Sequence, residues 1–243
     1  MGPIALHGGG EFLPGDETFL DELLDVTSRT VDGHAGGDGA LRIAILPTAA
    51  SRGLPDRAAA FAVETFEARA LARGYPIRVD VARVIDAASA ADDEVAKVIT
   101  AAHLIYLPGG DPDIVPALLG RTAAGRALAA AHRRGAIVAG ASAGAMALAD
   151  WSWTAHGGIP GLGFAPGLIV VPHYDEIRRI EWQGRLDGLA PPGFGYLGLD
   201  ERTGVISDNG SWRVAGEGAA HWFSPGSTLP VVARHGQPID LPS

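Results

Sequence analysis

The chain has 243 residues, enough for one large α/β domain or two small ones with a proper core. With 47% hydrophobic and 19% charged residues it has the make-up of a soluble globular protein, and no apolar run approaches the ~18 residues that a bilayer crossing needs. A net charge of -9, with Lys97 as the only lysine, argues against capture of nucleic acid or an anionic membrane; the lack of cysteine excludes disulfides, thiolate nucleophiles and Cys-based metal sites.

The opening "MGPIALHGGGEF" has neither a basic n-region nor a long apolar h-region. No signal peptide is expected, and the cytoplasm is the default location. "IALHGG" reads as a buried strand ending in a glycine turn. Glu17 to Thr30 places Phe19, Leu20, Leu23, Leu24 and Val26 at helical spacing. "GHAGGDG", which contains His34, is a loop. Leu41 to Ser51 is a strand and turn. Pro55 to Arg73 is an Ala-rich helix whose apolar face is expected to carry Phe61, Val63, Phe66 and Leu71. "IRVDVARVI" alternates as a strand, Asp92 to Ala101 is a short helix with an acidic cap, and "HLIYLPGGD" is a strand running into a Gly-Gly turn. Arg121 to Arg134 reads as one helix closed by Gly135. "AIVAGAS" is the strand that leads to Ser142.

This alternation predicts a mostly parallel sheet with helices on both faces. Beyond Trp151 the pattern changes to short strands broken by turn residues, expected to form the end of the main sheet and antiparallel hairpins. No linker or repeat divides the chain, so residues 1–243 are read as a single domain. In open α/β sheets ligands sit beyond the carboxyl ends of the strands. The turns "HGGGE", "PTAAS", "PGGD" and "GASAG" are therefore expected on one rim.

Gly140 to Gly144 matches G-x-S-x-G, the strand–turn–helix elbow that exposes a nucleophilic hydroxyl. Side chains larger than methyl would collide there with the strand or the substrate. A packing contact made by small residues is the alternative reading. A serine nucleophile needs a base. Of eight histidines, His7 and His103 adjoin strands as core or rim residues. His132 and His235 have charged or flexible surroundings, and His156 and His221 lie in the irregular half. His173 stands out because the apolar strand "LIVVPHY" ends on it, on the serine's rim if that strand runs parallel to the others. The base needs an orienting acid. "YLGLDERT" delivers Asp200 and Glu201 at the end of another apolar strand, with Glu201 preferred; Asp150, Asp175 and Glu176 are the other carboxylates nearby in sequence. No H-E-x-x-H or comparable metal-ligand spacing is present, and no cofactor is implied.

"LPGGD", "GASAGAMAL", "PHYDEIRR" and "GLDERTGVI" fall in the order and spacing of peptidase family S51, the serine peptidases that include cyanophycinase and aspartyl dipeptidase (dipeptidase E). The chain resembles the cyanophycinase branch more, through its Asp-Glu-x-Thr element, and the similarity runs from "HGGGE" to about Ile206. The resemblance implies an α/β/α sandwich of the class I glutamine amidotransferase-like type. It implies Ser142 as nucleophile, His173 as base and Glu201 as acid. The oxyanion donors would be the N–H groups of Ala143 and of Gly109 or Gly110. Amidotransferases of this superfold use cysteine at the elbow, so glutaminase activity of that kind is excluded here.

Two departures bear on substrate. Cyanophycinases carry Gln after the Gly-Gly-Asp turn, where this chain has Pro112, and an acidic residue two before the histidine, where it has Val171. The triad can persist while cyanophycin specificity is lost. Arg178 matches a family arginine and, with Arg179, is suited to hold a substrate carboxylate; Asp111 and Glu11 are further substrate-contact candidates. The expectation is a serine peptidase acting on a small peptide through an acyl-enzyme. A non-catalytic member that binds a small molecule or peptide, and an esterase, are the alternatives, and a homodimer stays open.

Overall fold

The computed structural model describes residues 1–32, 39–154, 157–175, 191–208 and 210–242. His34, His156, Glu176, Arg178 and Arg179 lie outside the described residues. The helices are α1 (Glu17–Asp32), α2 (Pro55–Arg73), α3 (Ala87–Ala90), α4 (Asp93–Ala101), α5 (Ile114–Leu119), α6 (Ala123–Arg133) and α7 (Ala143–Leu148), with a 3-10 turn over Pro47–Ala50. The first five strands are β1 (Ile4–His7), β2 (Leu41–Ile45), β3 (Ile77–Val81), β4 (Leu104–Leu107) and β5 (Ile137–Ala141). They are followed by β6 (Ala149–Thr154), β7 (Gly157–Pro160), β8 (Ala165–Val171), β9 (Gly195–Leu199) and β10 (Thr203–Asp208). The last are β11 (Ser211–Gly216), β12 (Ala219–Phe223), β13 (Val231–Arg234) and β14 (Pro238–Ile239).

Eight strands form the main sheet in the order β14-β11-β10-β1-β5-β4-β2-β3. From β1 to β3 the pairing is parallel, while β10, β11 and β14 add on antiparallel. β4 and β5 are buried along their whole length, as interior parallel strands covered on both faces must be. One face packs Phe19, Leu23 and Phe66 of α1 and α2. The other packs α4 to α7 together with a second sheet. The result is the expected α/β/α sandwich.

That second sheet corrects one expectation. Its order is β13-β12-β9-β8-β6-β7, with β6, β8 and β9 parallel and the rest antiparallel. The strands carrying His173 and Asp200 are β8 and β9, so they do not extend the main sheet. An unbroken apolar strand looks the same from either sheet, because both cover it on two sides.

Helix ends follow local chemistry. Pro55 starts α2, and Gly74 stops it in the left-handed region at φ 74°. The Asp92 carboxylate accepts the Glu94 N–H at the head of α4, and the Thr122 hydroxyl accepts the Gly125 N–H at the head of α6. The predicted 121–134 helix starts at Ala123, and α5 precedes it.

The buried face of α2 includes Phe66 and the partly buried Val63, as predicted, but not Phe61 or Leu71. Ala59, Ala62, Phe66 and Ala70 face the core, whereas Phe61 is 46% and Leu71 82% exposed. Alanines let the helix axis approach the sheet closely, so the small residues mark the contact and two large ones stay outside. Phe66→Ala is expected to cost about 3–5 kcal/mol, and Leu71→Ala to stay within about 0.5 kcal/mol. Chemical denaturation of the two variants checks which face is buried.

His132 also departs from expectation, since it is buried and its ring packs edge-on to Phe164 at 5.2 Å. Burial pushes the imidazole below its ordinary value. The unfolded chain therefore takes up a proton that the fold resists, and stability should fall as pH drops through about 6.5. His132→Gln should flatten this part of the stability–pH profile, measured by denaturant midpoints across that range.

Candidate active site

The site is built around the end of β1. His7, Gly8 and Gly9 offer three consecutive carbonyls to three distant segments. The His7 carbonyl accepts the Ser142 N–H at 2.9 Å, the Gly8 carbonyl accepts the His173 N–H at 2.7 Å, and the Gly9 carbonyl accepts the Arg202 N–H at 2.7 Å. Side chains here must be minimal. A Cβ on Gly9, where φ is +108°, would lie 2.2 Å from His173 Cε1, so the imidazole rests directly over that backbone.

Ser142 sits between β5 and α7 at φ 49° and ψ -114°, a conformation that side-chain-bearing residues rarely adopt. The small residues around it have a geometric reason. A Cβ on Gly140 would lie 2.5 Å from the Gly144 carbonyl carbon, and one on Gly144 would lie 2.1 Å from the Leu107 carbonyl oxygen. The turn is too tight for methyl groups at either position.

The side chains form a continuous chain of contacts. Ser142 Oγ is 3.0 Å from His173 Nε2, and His173 Nδ1 is 2.8 Å from Glu201 Oε1. The His173 and Glu201 side chains are 27% and 32% exposed, so the site is accessible to a small molecule. Although β8 belongs to the second sheet, its end reaches the rim of the first, and the hydrogen bond to Gly8 bridges the two.

Of the two neighbouring carboxylates, Glu201 reaches the imidazole and Asp200 does not. Asp200 Oδ2 accepts the Ala219 N–H at 2.9 Å, and Oδ1 lies 3.3 Å from His221 Nε2. The Thr203 hydroxyl donates to the Glu201 carbonyl at 3.2 Å and accepts the Gly218 N–H at 2.6 Å. Asp200 and Thr203 thus pin the turn that presents Glu201, which explains the spacing of the Asp-Glu-x-Thr element. Asp150 is remote in role; its carboxylate accepts the Gly167 N–H.

The four glycine- and alanine-rich turns meet as expected. The Asp111 N–H donates to the Ala49 carbonyl at 2.7 Å, and the Gly109 N–H donates to Glu11 Oε1 at 2.8 Å. Asp111 also pairs with Arg52 at 2.8 Å. Gly110, Asp111, Arg52 and Arg57 help to line an open cleft of about 730 Å³ beside this turn. Sequence reasoning missed one anchor of the rim. His7, which it read as a core or rim histidine, is fully buried with its Nε2 2.8 Å from Asp16 Oδ1, and Asp16 Oδ2 accepts the Phe12 N–H. Nothing in the spacing of two residues nine apart, one ending β1 and one in the loop after it, announces that pair.

Among the described residues no group of three or more His, Asp or Glu side chains is placed to hold a metal ion, and no helix is long and apolar enough to cross a membrane. Residues 23–214 match the model of peptidase family S51. The chain belongs to that family. Membership makes this S51 protein an enzyme, a hydrolase of the peptidase type with small peptides as substrates. Its structure is similar to that of a peptidase from an acI-B1 Actinobacterium, with a TM-score of 0.79 and 25% identity over 99% of this chain and 97% of that one. A Listeria monocytogenes EGD-e protein named for peptidase E shares the fold at a TM-score of 0.55 and 15% identity, over 89% of this chain and 99% of that one. No curated protein matches the chain in sequence.

The backbone at Ser142 generates a test. Glycine adopts φ 49° without strain, so Ser142→Gly is expected to raise stability by about 1 kcal/mol, while Ser142→Ala keeps the strain and does not. Thermal melts of the two variants side by side separate the backbone effect from loss of the hydroxyl.

Proposed function

We propose that this S51 enzyme cleaves a peptide or isopeptide bond in a small peptide through Ser142, His173 and Glu201, with the whole chain acting as one hydrolase domain. His173 Nε2 takes the Ser142 proton as the oxygen attacks the carbonyl carbon. Glu201 holds the Nδ1–H tautomer and offsets the charge of the imidazolium that forms. The tetrahedral oxyanion is bound by the N–H of Ala143, at the head of α7, and by that of Gly109 or Gly110. His173 then passes its proton to the leaving amine. Water, deprotonated by the same imidazole, hydrolyses the acyl-enzyme.

The observation that carries this reading is the unbroken hydroxyl–imidazole–carboxylate chain, with contacts of 3.0 and 2.8 Å, at a strained strand-to-helix turn. Among the described residues no other serine has this setting. Ser152, for example, is buried and spends its hydroxyl on the Met146 carbonyl. Substrate selection differs from that of cyanophycinase in this proposal. Val171, where cyanophycinases carry an acidic side chain, is buried among apolar residues near Tyr174 and Phe223. Asp111 is engaged by Arg52 and serves as one wall of the neighbouring cleft.

The test combines a fluorophosphonate probe with a library of α- and β-aspartyl and other dipeptides read by mass. Wild-type protein should be labelled and should release amino acids from part of the library. Ser142→Ala should lose labelling and at least about three orders of magnitude of hydrolysis, with His173→Ala close behind and Glu201→Gln affected less. Undiminished turnover by Ser142→Ala sinks the assignment.

A further inference from the structure

A tetrahedral intermediate at Ser142 needs backbone donors, and one of them already has an acceptor. Glu11 Oε1 accepts the Gly109 N–H at 2.8 Å. It does so on the side that faces the serine: a Cβ on Gly109 would lie 2.8 Å from Glu11 Oε1 and 3.2 Å from Ser142 Cβ. The carboxylate and the serine converge on one small volume. With Gly109 as the second donor, an oxyanion forming there uses the same N–H, and two negative charges sharing a site repel strongly. Glu11 must withdraw, or meet a positive charge, before that donor can serve.

The described residues do not supply that charge. Among the described residues no Arg, Lys or His side chain pairs with Glu11. Of the nearby cations, Arg52 pairs with Asp111 and Arg202 lies beside Glu201, while Arg57 lines the cleft past Gly110 without reaching Glu11. Glu201 itself approaches the neighbouring residue, its Oε2 lying 3.4 Å from a Cβ placed on Gly10, and adds negative charge to this side. Meanwhile the backbone around Glu11 is held, because the buried His7–Asp16 pair fixes the turn and Asp16 accepts the Phe12 N–H. The half-buried side chain can leave Gly109 while its anchor stays.

We infer that Glu11 is a specificity-determining residue, which occupies the Gly109 N–H until a substrate α-ammonium next to the scissile carbonyl draws it away. This rests on the reading of Ser142 as nucleophile. A free α-amino group brings the missing cation to the carboxylate. Glu11 exchanges one charge-assisted hydrogen bond for another, and the oxyanion donor is released. A substrate with a blocked amino group offers nothing in exchange, so the carboxylate competes with the oxyanion. Discrimination thus includes a repulsive element built against the wrong ligand.

Diphenyl α-aminoethylphosphonate and its N-acetyl derivative test this without knowledge of the natural substrate. In each, Ser142 oxygen bonds to phosphorus, one P–O bond to phenoxide breaks, and phenol leaves with the serine proton. The readout is the labelling rate by intact mass. Wild-type protein should react at least about tenfold faster with the free amine, and in Glu11→Ala the two rates should converge to within about twofold. Glu11→Ala should also label the acetylated probe faster than wild type does. Glu11→Gln, which leaves Gly109 an uncharged acceptor, should lose the preference for the amine and keep the acetylated probe slow. Equal wild-type rates, a preference that survives in Glu11→Ala, or slower labelling of the acetylated probe by Glu11→Ala overturns the inference. A third arm, the N-acetyl phosphonate with a lysine side chain, should react like the plain acetylated probe. A Glu11-dependent preference for it would place the ammonium on a side chain and overturn the α-amino assignment. Labelling of Ser142→Ala at the wild-type rate refutes the nucleophile reading instead.

Discussion

Three successive peptide carbonyls at the end of β1 determine where everything else in the site can be. Through them the backbones of residues 142, 173 and 202 are tied to residues 7, 8 and 9. Backbone hydrogen bonds of this kind hold their partners within a few tenths of an ångström. The side chains of Ser142, His173 and Glu201 then need only ordinary packing to meet. The glycines at 8 and 9 belong to this device, since side chains there would strike the Leu199–Asp200 backbone or the imidazole.

Strain is concentrated in the same place. Among the described residues four without a glycine's freedom have positive φ: Phe12, Ser142, His173 and Arg202. Two carry the hydroxyl and the imidazole, and the other two directly follow Glu11 and Glu201. Each costs of order 1–3 kcal/mol and persists because the surrounding structure leaves no alternative. A fold with no task at this edge would have little reason to keep four such residues within one rim.

Much of this was legible in the amino acids. Strand–helix alternation gives the sandwich, and crowding by small residues marks the Ser142 elbow, where each side-chain-free position answers to a named backbone neighbour. Other parts left no readable signal, for physical reasons. The run "LIVVPHY" is equally apolar whether it lies in the first sheet or the second. The α2 face is set by alanines, which hydrophobic periodicity underrates beside Phe61 and Leu71. The Glu11–Gly109 contact spans 98 positions and joins a side chain to a backbone group, so no periodicity or motif encodes it.

The position of β1 has one more consequence. It lies between β5 and β10, paired with residues 138–141 on one side and 204–206 on the other. A strand made well before its partners thus finds its last neighbour some two hundred residues later. Such long-range closure is entropically costly and comes late in folding. A half-synthesised chain can form helices and the parallel strands of its first half, but not the arrangement around Ser142, because the imidazole and carboxylate have yet to emerge. If Ser142, His173 and Glu201 act as proposed, a nascent fragment that stops short of residue 201 is inert.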